Sequence, residues 1–184
     1  MKRTQMKQFS IYFNEEKQKL TLAELPYKRD GLSPVKSKAT IDYHYGQLAK
    51  GYVERYNKGE GDPEFNKAGA FLHNIYFPQL KPYTKGNEPT GKSAEFIDKH
   101  YKDGFKGLKK EFEDVAMKIQ GSGWVYLASD GKVKTIVNHE IKNDIVLLID
   151  WWEHAWALDY QSHKKKYLTN IWSIINWDVV NEKL

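Results

Sequence analysis

Residues 150–177 read DWWEHAWALDYQSHKKKYLTNIWSIINW, and this stretch carries five of the six tryptophans in the chain. Asp150 and His154 lie four residues apart within it, where a leucine-rich, β-branched run gives way to a helix-like aromatic pattern. A carboxylate and an imidazole are costly to bury among aromatic rings unless something compensates them. Two interpretations stay open: an Asp–His pair that satisfies itself at the start of a helix, or half of a metal site that needs two further ligands.

Two histidines in the N-terminal half can complete such a site. Apolar residues recur every three or four positions between residues 41 and 56, which predicts a helix that carries His44. Asp62 followed by Pro63 is typical of a helix start, and this second helix carries His73. A short connection makes antiparallel neighbours of two such helices, so one histidine from each can face the same point. Three imidazoles and one carboxylate suit iron or manganese better than calcium or magnesium.

The composition narrows the chemistry further. The chain has 184 residues, of which 40% are apolar, and this is enough for a sizeable core. It has no cysteine, so disulfides, thiol catalysis, iron–sulfur clusters and cysteine-ligated zinc are excluded. The net charge of +5 is mild and spread along the chain, so we expect no nucleic-acid partner.

No segment predicts export or membrane insertion. The N-terminus begins with basic residues, but Asn14, Glu15 and Glu16 interrupt it before any apolar run reaches signal-peptide length. The longest apolar run elsewhere, at 145–149, is too short to span a bilayer. We therefore expect a cytoplasmic protein that makes no membrane contact.

Period-two alternation predicts strands in two parts of the chain. Residues 8–23 alternate on both sides of a polar turn, which predicts a β-hairpin that either packs on its own domain or serves as an arm for a partner. Residues 121–129 and 132–140 flank an Asp-Gly pair, which is the strongest hairpin signal in the chain. The apolar run at 145–149 predicts a third strand beside this second hairpin.

Helical patterns fill the remaining segments. Ser93 is predicted to cap one long amphipathic helix whose apolar stripe runs to Ile119, and a last helix is predicted over residues 165–176. The order of elements predicts an α+β fold. We expect an N-terminal extension (1–24, with the β-hairpin), an antiparallel helical hairpin (25–85, ending in the turn-rich linker 81–92) and an α/β domain with a three-stranded antiparallel sheet (86–184).

Four motifs resemble those of the iron/manganese superoxide dismutases. The Asp-Trp-Trp-Glu-His sequence at 150–154 is similar to the D-x-W-E-H motif of that family, and LPYKRDGLSP at 25–34 resembles its N-terminal L-P-Y motif. TIDYHYGQLAKGYV at 40–53 resembles the first ligand helix, and GSGWVYL at 121–127 resembles a strand that carries a tryptophan. The resemblance covers roughly residues 25–184 in the same order.

The resemblance implies a role for particular side chains. The metal ligands are His44, His73, Asp150 and His154, and they hold one iron or manganese ion per subunit. Tyr52 is the gateway tyrosine, and His139 stands at the strand position of a Gln or His that hydrogen-bonds solvent at the metal. Trp124 and Trp152 wall the active site. Glu153 reaches across a homodimer interface to the metal-bound histidine of the partner subunit.

The chain departs from the family at several positions. Leu48 and Ala157 replace a histidine and a tyrosine that pair across the dimer, which fits either a drier interface or a different assembly, because losing both partners of a hydrogen bond can be nearly neutral. Gly69 stands where some iron-type members have Gln, and Lys164 where the family has an arginine near the substrate funnel.

The implied activity is the conversion of superoxide to oxygen and hydrogen peroxide, with superoxide as the substrate. The alternative is a structural or interaction protein on the same fold, with lost or incidental activity, because a fold does not guarantee a function. The missing cross-dimer pair and the N-terminal extension motivate that alternative. Metal identity, iron or manganese, stays open, and His139 and Tyr52 each have an alternative interpretation as ordinary core residues.

Overall fold

Two antiparallel helices form the N-terminal half of the fold. The first runs as α1 (Lys38–Tyr43), a π-helical segment (His44–Ala49) and α2 (Lys50–Lys58), and the second is α3 (Pro63–Tyr76). The computed structural model describes residues 13–14 and 19–184.

The caps of this hairpin follow from the sequence. Asp62 accepts a hydrogen bond from the backbone N–H of Phe65 at 2.7 Å, with Pro63 in the first turn, as the sequence predicts. Gly59 ends α2 with φ of 69°, a left-handed conformation that glycine adopts without a steric penalty. The helical hairpin is therefore confirmed.

The N-terminal segment packs on this hairpin. Strands β1 (Phe13–Asn14) and β2 (Lys19–Leu20) pair antiparallel, in agreement with the predicted β-hairpin, whose other residues, 8–12 and 15–18, lie outside the described residues. Leu20 is buried, and its backbone N and O both bond the Asn57 side chain, at 2.8 and 2.9 Å. This end of the extension packs on its own domain.

The single helix predicted from Ser93 to Ile119 is wrong. The structure has α4 (Gly91–His100) and α5 (Gly104–Ala116), and Ser93 lies inside the first turn of α4 rather than at its cap. Tyr101 is extended between them, and its hydroxyl donates to the Gly131 carbonyl at 2.8 Å. This bond to the turn of the β-hairpin interrupts the helix where the sequence shows a continuous apolar stripe.

Three antiparallel strands form the sheet of the C-terminal half. The strands are β3 (Gly123–Ala128), β4 (Val133–Val137) and β5 (Ile145–Asp150), in the order β4-β3-β5. Trp124 on the central strand pairs in register with Asp150, the last residue of β5. The α+β prediction with a three-stranded antiparallel sheet is confirmed.

Short helices complete the chain. A 3₁₀ turn (Glu153–Ala155) follows β5 and leads into α6 (Ala157–Tyr160) and α7 (Lys164–Ile171). A second 3₁₀ turn (Trp172–Ile174) and α8 (Trp177–Asn181) end the described chain.

The last helix predicted over 165–176 is therefore too long. Ile175 is extended and forms an isolated β-bridge with Leu80, which breaks the helix before its predicted end. Asn176 then caps α8 through its side chain.

The two halves are joined beside the end of β5. The Gln79 side chain, just after α3, donates to the carbonyl of Leu148 and accepts from its N–H at 3.1 Å. This pair of bonds fixes the C-terminal end of α3 against β5. Among the described residues, no helix is both long and apolar enough to cross a membrane.

Candidate metal centre

Three histidines and one aspartate converge between the two halves of the fold. His44 begins the π-helical segment, His73 lies in the last turn of α3, Asp150 ends β5, and His154 lies in the 3₁₀ turn that follows. One ligand atom of each lies within 4.8 Å of all the others. The His44, His73 and Asp150 side chains are fully buried, and that of His154 is 11% exposed. The four residues named from the sequence are thus brought to one point.

One carboxylate oxygen faces all three imidazoles. Oδ2 of Asp150 lies 3.0 Å from Nε2 of His44, 3.3 Å from Nε2 of His154 and 3.6 Å from Nε2 of His73. The other oxygen, Oδ1, accepts a hydrogen bond from the backbone N–H of Trp152 at 2.9 Å. The carboxylate is therefore held so that only Oδ2 is directed at the histidines.

The protonation of His73 follows from its backbone contact. Its Nδ1 lies 2.7 Å from the carbonyl of Gly69, which can only accept, so Nδ1 carries the proton and the neutral ring leaves a lone pair on Nε2. Such a bond on the far nitrogen orients a metal-ligating histidine. Nε2 of His73 lies 3.0 Å from Nε2 of His44. The lone pair is thus directed into a cluster of other donor atoms.

Burial favours the protonation states that bind metals. Desolvation holds the pKa of His44 well below its usual value and lowers the pKa of His73 to about 4, so both rings are neutral at pH 7. Burial alone would raise the pKa of Asp150, but electrostatic attraction to the neighbouring His154 ring and hydrogen bonds from His154 and His44 hold it well below the ordinary value. Neutral imidazoles and an ionised carboxylate are the forms that coordinate a metal.

The donor set fits a transition metal. An ionised carboxylate buried among imidazole nitrogens is costly without a cation, and a metal ion at the centre removes that cost. Nitrogen and oxygen ligands without thiolate suit iron and manganese.

Nδ1 of His44 is buried and has no hydrogen-bond partner among the described residues, which leaves that ring held by its Nε2 contacts.

His139 lies beside the cluster, but not on a strand. The strand position expected from the sequence is wrong, because β4 ends at Val137 and Asn138 then adopts a φ of 51°. The indole Nε1 of Trp124 donates to Nδ1 of His139 at 3.1 Å and to the Asn138 carbonyl at 3.0 Å. Nδ1 of His139 is therefore an acceptor, and the proton of the neutral ring is on Nε2.

Nε2 of His139 is a buried donor that no other described residue uses. It has no hydrogen-bond partner within the part of the chain that the structure describes. Burial lowers the pKa of His139 to about 3, so the ring is neutral at physiological pH. The ring lies 6.0 Å from that of His73. An N–H group is thus held ready for a hydrogen-bond acceptor that enters the site.

Tyr52 lies on α2 against the same two histidines. Its ring centroid is 4.8 Å from that of His139 and 5.4 Å from that of His73, and burial raises its pKa to about 12. A Cβ built on Gly69 would lie 2.9 Å from the Tyr52 ring, so the tyrosine can take this position only because residue 69 has no side chain.

Aromatic rings close the remaining side. Trp152 stacks on His139 with centroids 4.6 Å apart and lies 5.4 Å from His154. Phe65 lies 4.7 Å from His139 and is 37% exposed, which places it at the edge of the site. The sequence named Trp124 and Trp152 but missed Phe65, because one apolar residue in the first turn of a helix carries no functional signal.

Two buried tyrosines behind the cluster, Tyr76 and Tyr167, were not predicted from the sequence as part of the site. The hydroxyls of Tyr76 and Tyr167 are 3.1 Å apart, and that of Tyr167 donates to the backbone carbonyl of Asp150 at 3.0 Å. Both residues stand on apolar helical stripes, which indicate only burial. Their bonds connect α3 and α7 with the strand end that carries Asp150.

The residues expected at a subunit interface lie at or near the surface of the single chain. Glu153 is exposed beside His154, and Leu48 and Ala157 are half-buried. Lys164 places its ammonium 5.6 Å from the ring centroid of Trp151.

Comparison with known proteins agrees with this geometry. Residues 89–183 match the model of the iron/manganese superoxide dismutase C-terminal domain, and residues 19–64 match that of the alpha-hairpin domain. The chain belongs to the iron/manganese superoxide dismutase family.

Individual relatives cover nearly the whole chain. The chain is 38% identical to the superoxide dismutase [Mn/Fe] of Porphyromonas gingivalis, in a match that covers 88% of this chain and 97% of that protein. It is 36% identical to the superoxide dismutase [Fe] of Bacteroides fragilis, with 89% of this chain and 98% of that protein covered. It is 35% identical to the superoxide dismutase [Fe] of Escherichia coli K12, with 89% of this chain and 97% of that protein covered.

Proposed function

We propose that the protein is a superoxide dismutase that holds one iron or manganese ion per subunit on His44, His73, Asp150 and His154. The observation that carries the proposal is the convergence of three imidazole nitrogens and one carboxylate oxygen within 4.8 Å. When bound, the metal supplies a one-electron couple, so that two superoxide anions and two protons become one dioxygen and one hydrogen peroxide.

The ligand residues act through charge and preorganisation. Asp150 contributes one negative charge to a centre whose other donors are neutral, which favours a cation of two or three charges. Its Oδ1 bond to Trp152 N–H and the Nδ1 bond of His73 to Gly69 keep two ligands in place without the metal. Such outer hydrogen bonds are a usual means of tuning a metal centre.

His139 and Tyr52 serve the oxygen species that enters the site. We assign to Nε2–H of His139 a hydrogen bond to an oxygen atom of substrate or solvent, because this buried donor has no partner among the described residues. If His139 were only an ordinary core residue, the bond from Trp124 would explain its Nδ1, but its buried Nε2–H would have no partner among the described residues. The Tyr52 hydroxyl stays protonated at physiological pH, since its pKa is raised to about 12, and we assign to it a second hydrogen bond to that oxygen, because its ring centroid lies 4.8 Å from that of His139.

Access to the site is shaped by aromatic rings and one cation. Trp124 and Trp152 wall the centre around His139, and the positive charge of Lys164 near Trp151 attracts a small anion.

The same proposal includes a homodimer. Glu153 is exposed next to a metal ligand, and its carboxylate is proposed to bind the partner subunit's His154. Leu48 and Ala157 make the proposed interface less polar than a histidine–tyrosine pair would. A partner contact of the N-terminal extension (1–24) remains a prediction.

The test is metal analysis of the purified protein combined with a superoxide-decay assay. The protein is expected to carry about one equivalent of iron or manganese and to be active. His154→Ala is expected to lose both, whereas His163→Ala, a histidine exposed on the surface, is expected to keep both. A folded protein with neither redox metal nor activity would support the alternative of a structural protein on this fold.

A further inference from the structure

Lys36 is a fully buried lysine, with 0% of its surface exposed. Lysine is almost never fully buried unless it is paired. The backbone on both sides is fixed to α6, because the Tyr160 hydroxyl donates to the Val35 carbonyl at 2.7 Å and the Ser37 N–H donates to Asp159 at 2.9 Å. The Lys36 side chain is therefore directed inward by an anchored segment.

The ammonium of Lys36 reaches the turn that carries a metal ligand. Nζ donates a hydrogen bond to the backbone carbonyl of Ala155. Ala155 follows His154 directly and ends the turn Glu153–Ala155. One side chain thus connects the segment before α1 with the ligand turn, 119 positions away along the chain.

The same ammonium lies against the tyrosine that contacts Asp150. Nζ is 4.6 Å from the ring centroid of Tyr167 and 5.8 Å from that of Tyr76, distances at which a cation is attracted to an aromatic face. The Tyr167 hydroxyl donates to the carbonyl of Asp150 at 3.0 Å. A single tyrosine side chain therefore separates the cation from the residue that carries the negative charge of the metal centre.

The ammonium is charged at neutral pH. Burial lowers the pKa of Lys36 to about 8, and the negative charges of Asp150 and Asp159 oppose a larger shift. A charge in the protein interior acts on its neighbours through a lower effective dielectric than water. A fixed positive charge favours the state of a nearby metal that has one more electron.

We propose that Lys36 is a positioning residue of the metal centre, which holds the His154 turn through the Ala155 carbonyl and raises the reduction potential of the metal through its buried charge. The electrostatic part rests on the proposed function. The mechanical part does not, because it concerns contacts within the chain.

The test compares Lys36→Met and Lys36→Gln with the wild type. Methionine has a similar length without charge or donor, and glutamine keeps a neutral donor that is one atom shorter. Lys38→Met is the matched control, since Lys38 is two residues away, exposed and paired with Asp42 at the surface. The first measurement is the reduction potential of the bound metal.

Both Lys36 variants are expected to shift the potential downward by roughly a tenfold change in the ratio of reduced to oxidised metal, which is 59 mV for a one-electron couple. Lys38→Met is expected to leave the potential unchanged. A merely structural lysine would not produce this pattern. Unchanged potentials in both Lys36 variants, or an equal shift in the control, overturn the electrostatic role.

The second measurement is hydrogen exchange of the Ala155 and Trp156 amides, which bond the carbonyls of Trp152 and Glu153 at 2.9 and 3.1 Å. Exchange is expected to be faster in Lys36→Met than in Lys36→Gln, because only glutamine can still donate to Ala155. If methionine prevents folding, Lys36→Leu, which likewise has neither charge nor donor, replaces it in the comparison with Lys36→Gln and wild type. Equal exchange in wild type and the variants overturns the positioning role.

The measurements that would contradict the proposed function differ from those that would contradict the role of Lys36. A wild-type protein without redox metal or superoxide decay contradicts the enzyme assignment. The exchange comparison, made on the protein as purified, still decides whether Lys36 holds the turn.

Discussion

The indole N–H of Trp124 donates to Nδ1 of His139 at 3.1 Å. The bond links the centre of the sheet to the loop after β4, and it decides which nitrogen of the histidine carries the proton. Because Nδ1 accepts, Nε2 is the donor, and this buried N–H is the group proposed to bind an oxygen atom in the site.

Trp124→Phe removes this donor and leaves the His139 tautomer free. We expect kcat to fall on the order of tenfold with metal content unchanged, and stability to fall by about 1–3 kcal/mol, since the buried Nδ1 of His139 loses its donor whereas the Asn138 carbonyl keeps that of Trp152. Steady-state kinetics and metal analysis check the outcome. Trp177→Phe is the control, because the Trp177 Nε1 has no hydrogen-bond partner among the described residues; a tenfold loss there as well would contradict the role of the Trp124 bond.

Gly69→Ala introduces a Cβ that would lie 2.9 Å from the Tyr52 ring. Alanine normally stabilises a helix relative to glycine, but overpacking here is expected to cost about 1–3 kcal/mol. Chemical denaturation measures the change. Gly107→Ala in α5 is the matched control, where the new Cβ meets an atom only at 3.4 Å and a gain of up to about 1 kcal/mol is expected. Equal effects at the two positions would argue against the Tyr52 contact.

Asn57→Ala removes both bonds that hold Leu20 on α2. The loss is expected to lower the free energy of unfolding by roughly 1–3 kcal/mol and to accelerate hydrogen exchange at the Leu20 amide. Lys58→Ala, at the next and exposed position, should change neither quantity. Unaltered exchange at Leu20 in Asn57→Ala would mean that other contacts fix the segment.

The burial of Lys36 predicts a pH dependence of stability. Its pKa is about 8 in the folded protein and 10.5 when unperturbed, so between these values the unfolded chain binds more protons and stability rises with pH. The slope approaches about 1.4 kcal/mol per pH unit, and below pH 8 the cost of burying the charge is fully present.

Urea unfolding of wild type and Lys36→Met between pH 7 and 10 isolates this contribution, since the other titrating groups are common to both. The stability of the wild type relative to the variant is expected to increase above pH 8. A difference that stays constant with pH would show that burial does not lower the pKa of Lys36.

The sequence predicts which residues form the candidate site, but it does not predict the buried group, Lys36, that acts on the site from behind. Asp150 and His154 stand four residues apart in a distinctive aromatic motif, and His44 and His73 lie on helices whose caps and periodicity are strong signals. Lys36 lies in a polar stretch that gives no sign of burial. Its position depends on Tyr160, Ala155 and other residues that are remote in the chain.

Two predictions of helix boundaries are wrong for a related reason. The apolar stripe from Ser93 to Ile119 is continuous, yet Tyr101 leaves the helix to bond Gly131 in a hairpin 30 positions away. Ile175 likewise ends a helix by forming a bridge with Leu80. Local periodicity carries no information about such tertiary contacts, which override it.

The four proposed ligands are distributed unevenly along the chain. His73 and Asp150 are 150 − 73 = 77 positions apart, whereas His44 and His73 belong to one helical hairpin. At a synthesis rate of about 5–20 residues per second, the hairpin is complete roughly 4–15 s before Asp150 is made. A nascent chain therefore offers two histidines before any carboxylate joins them, and selection of the metal must wait until the C-terminal half has been translated and has docked.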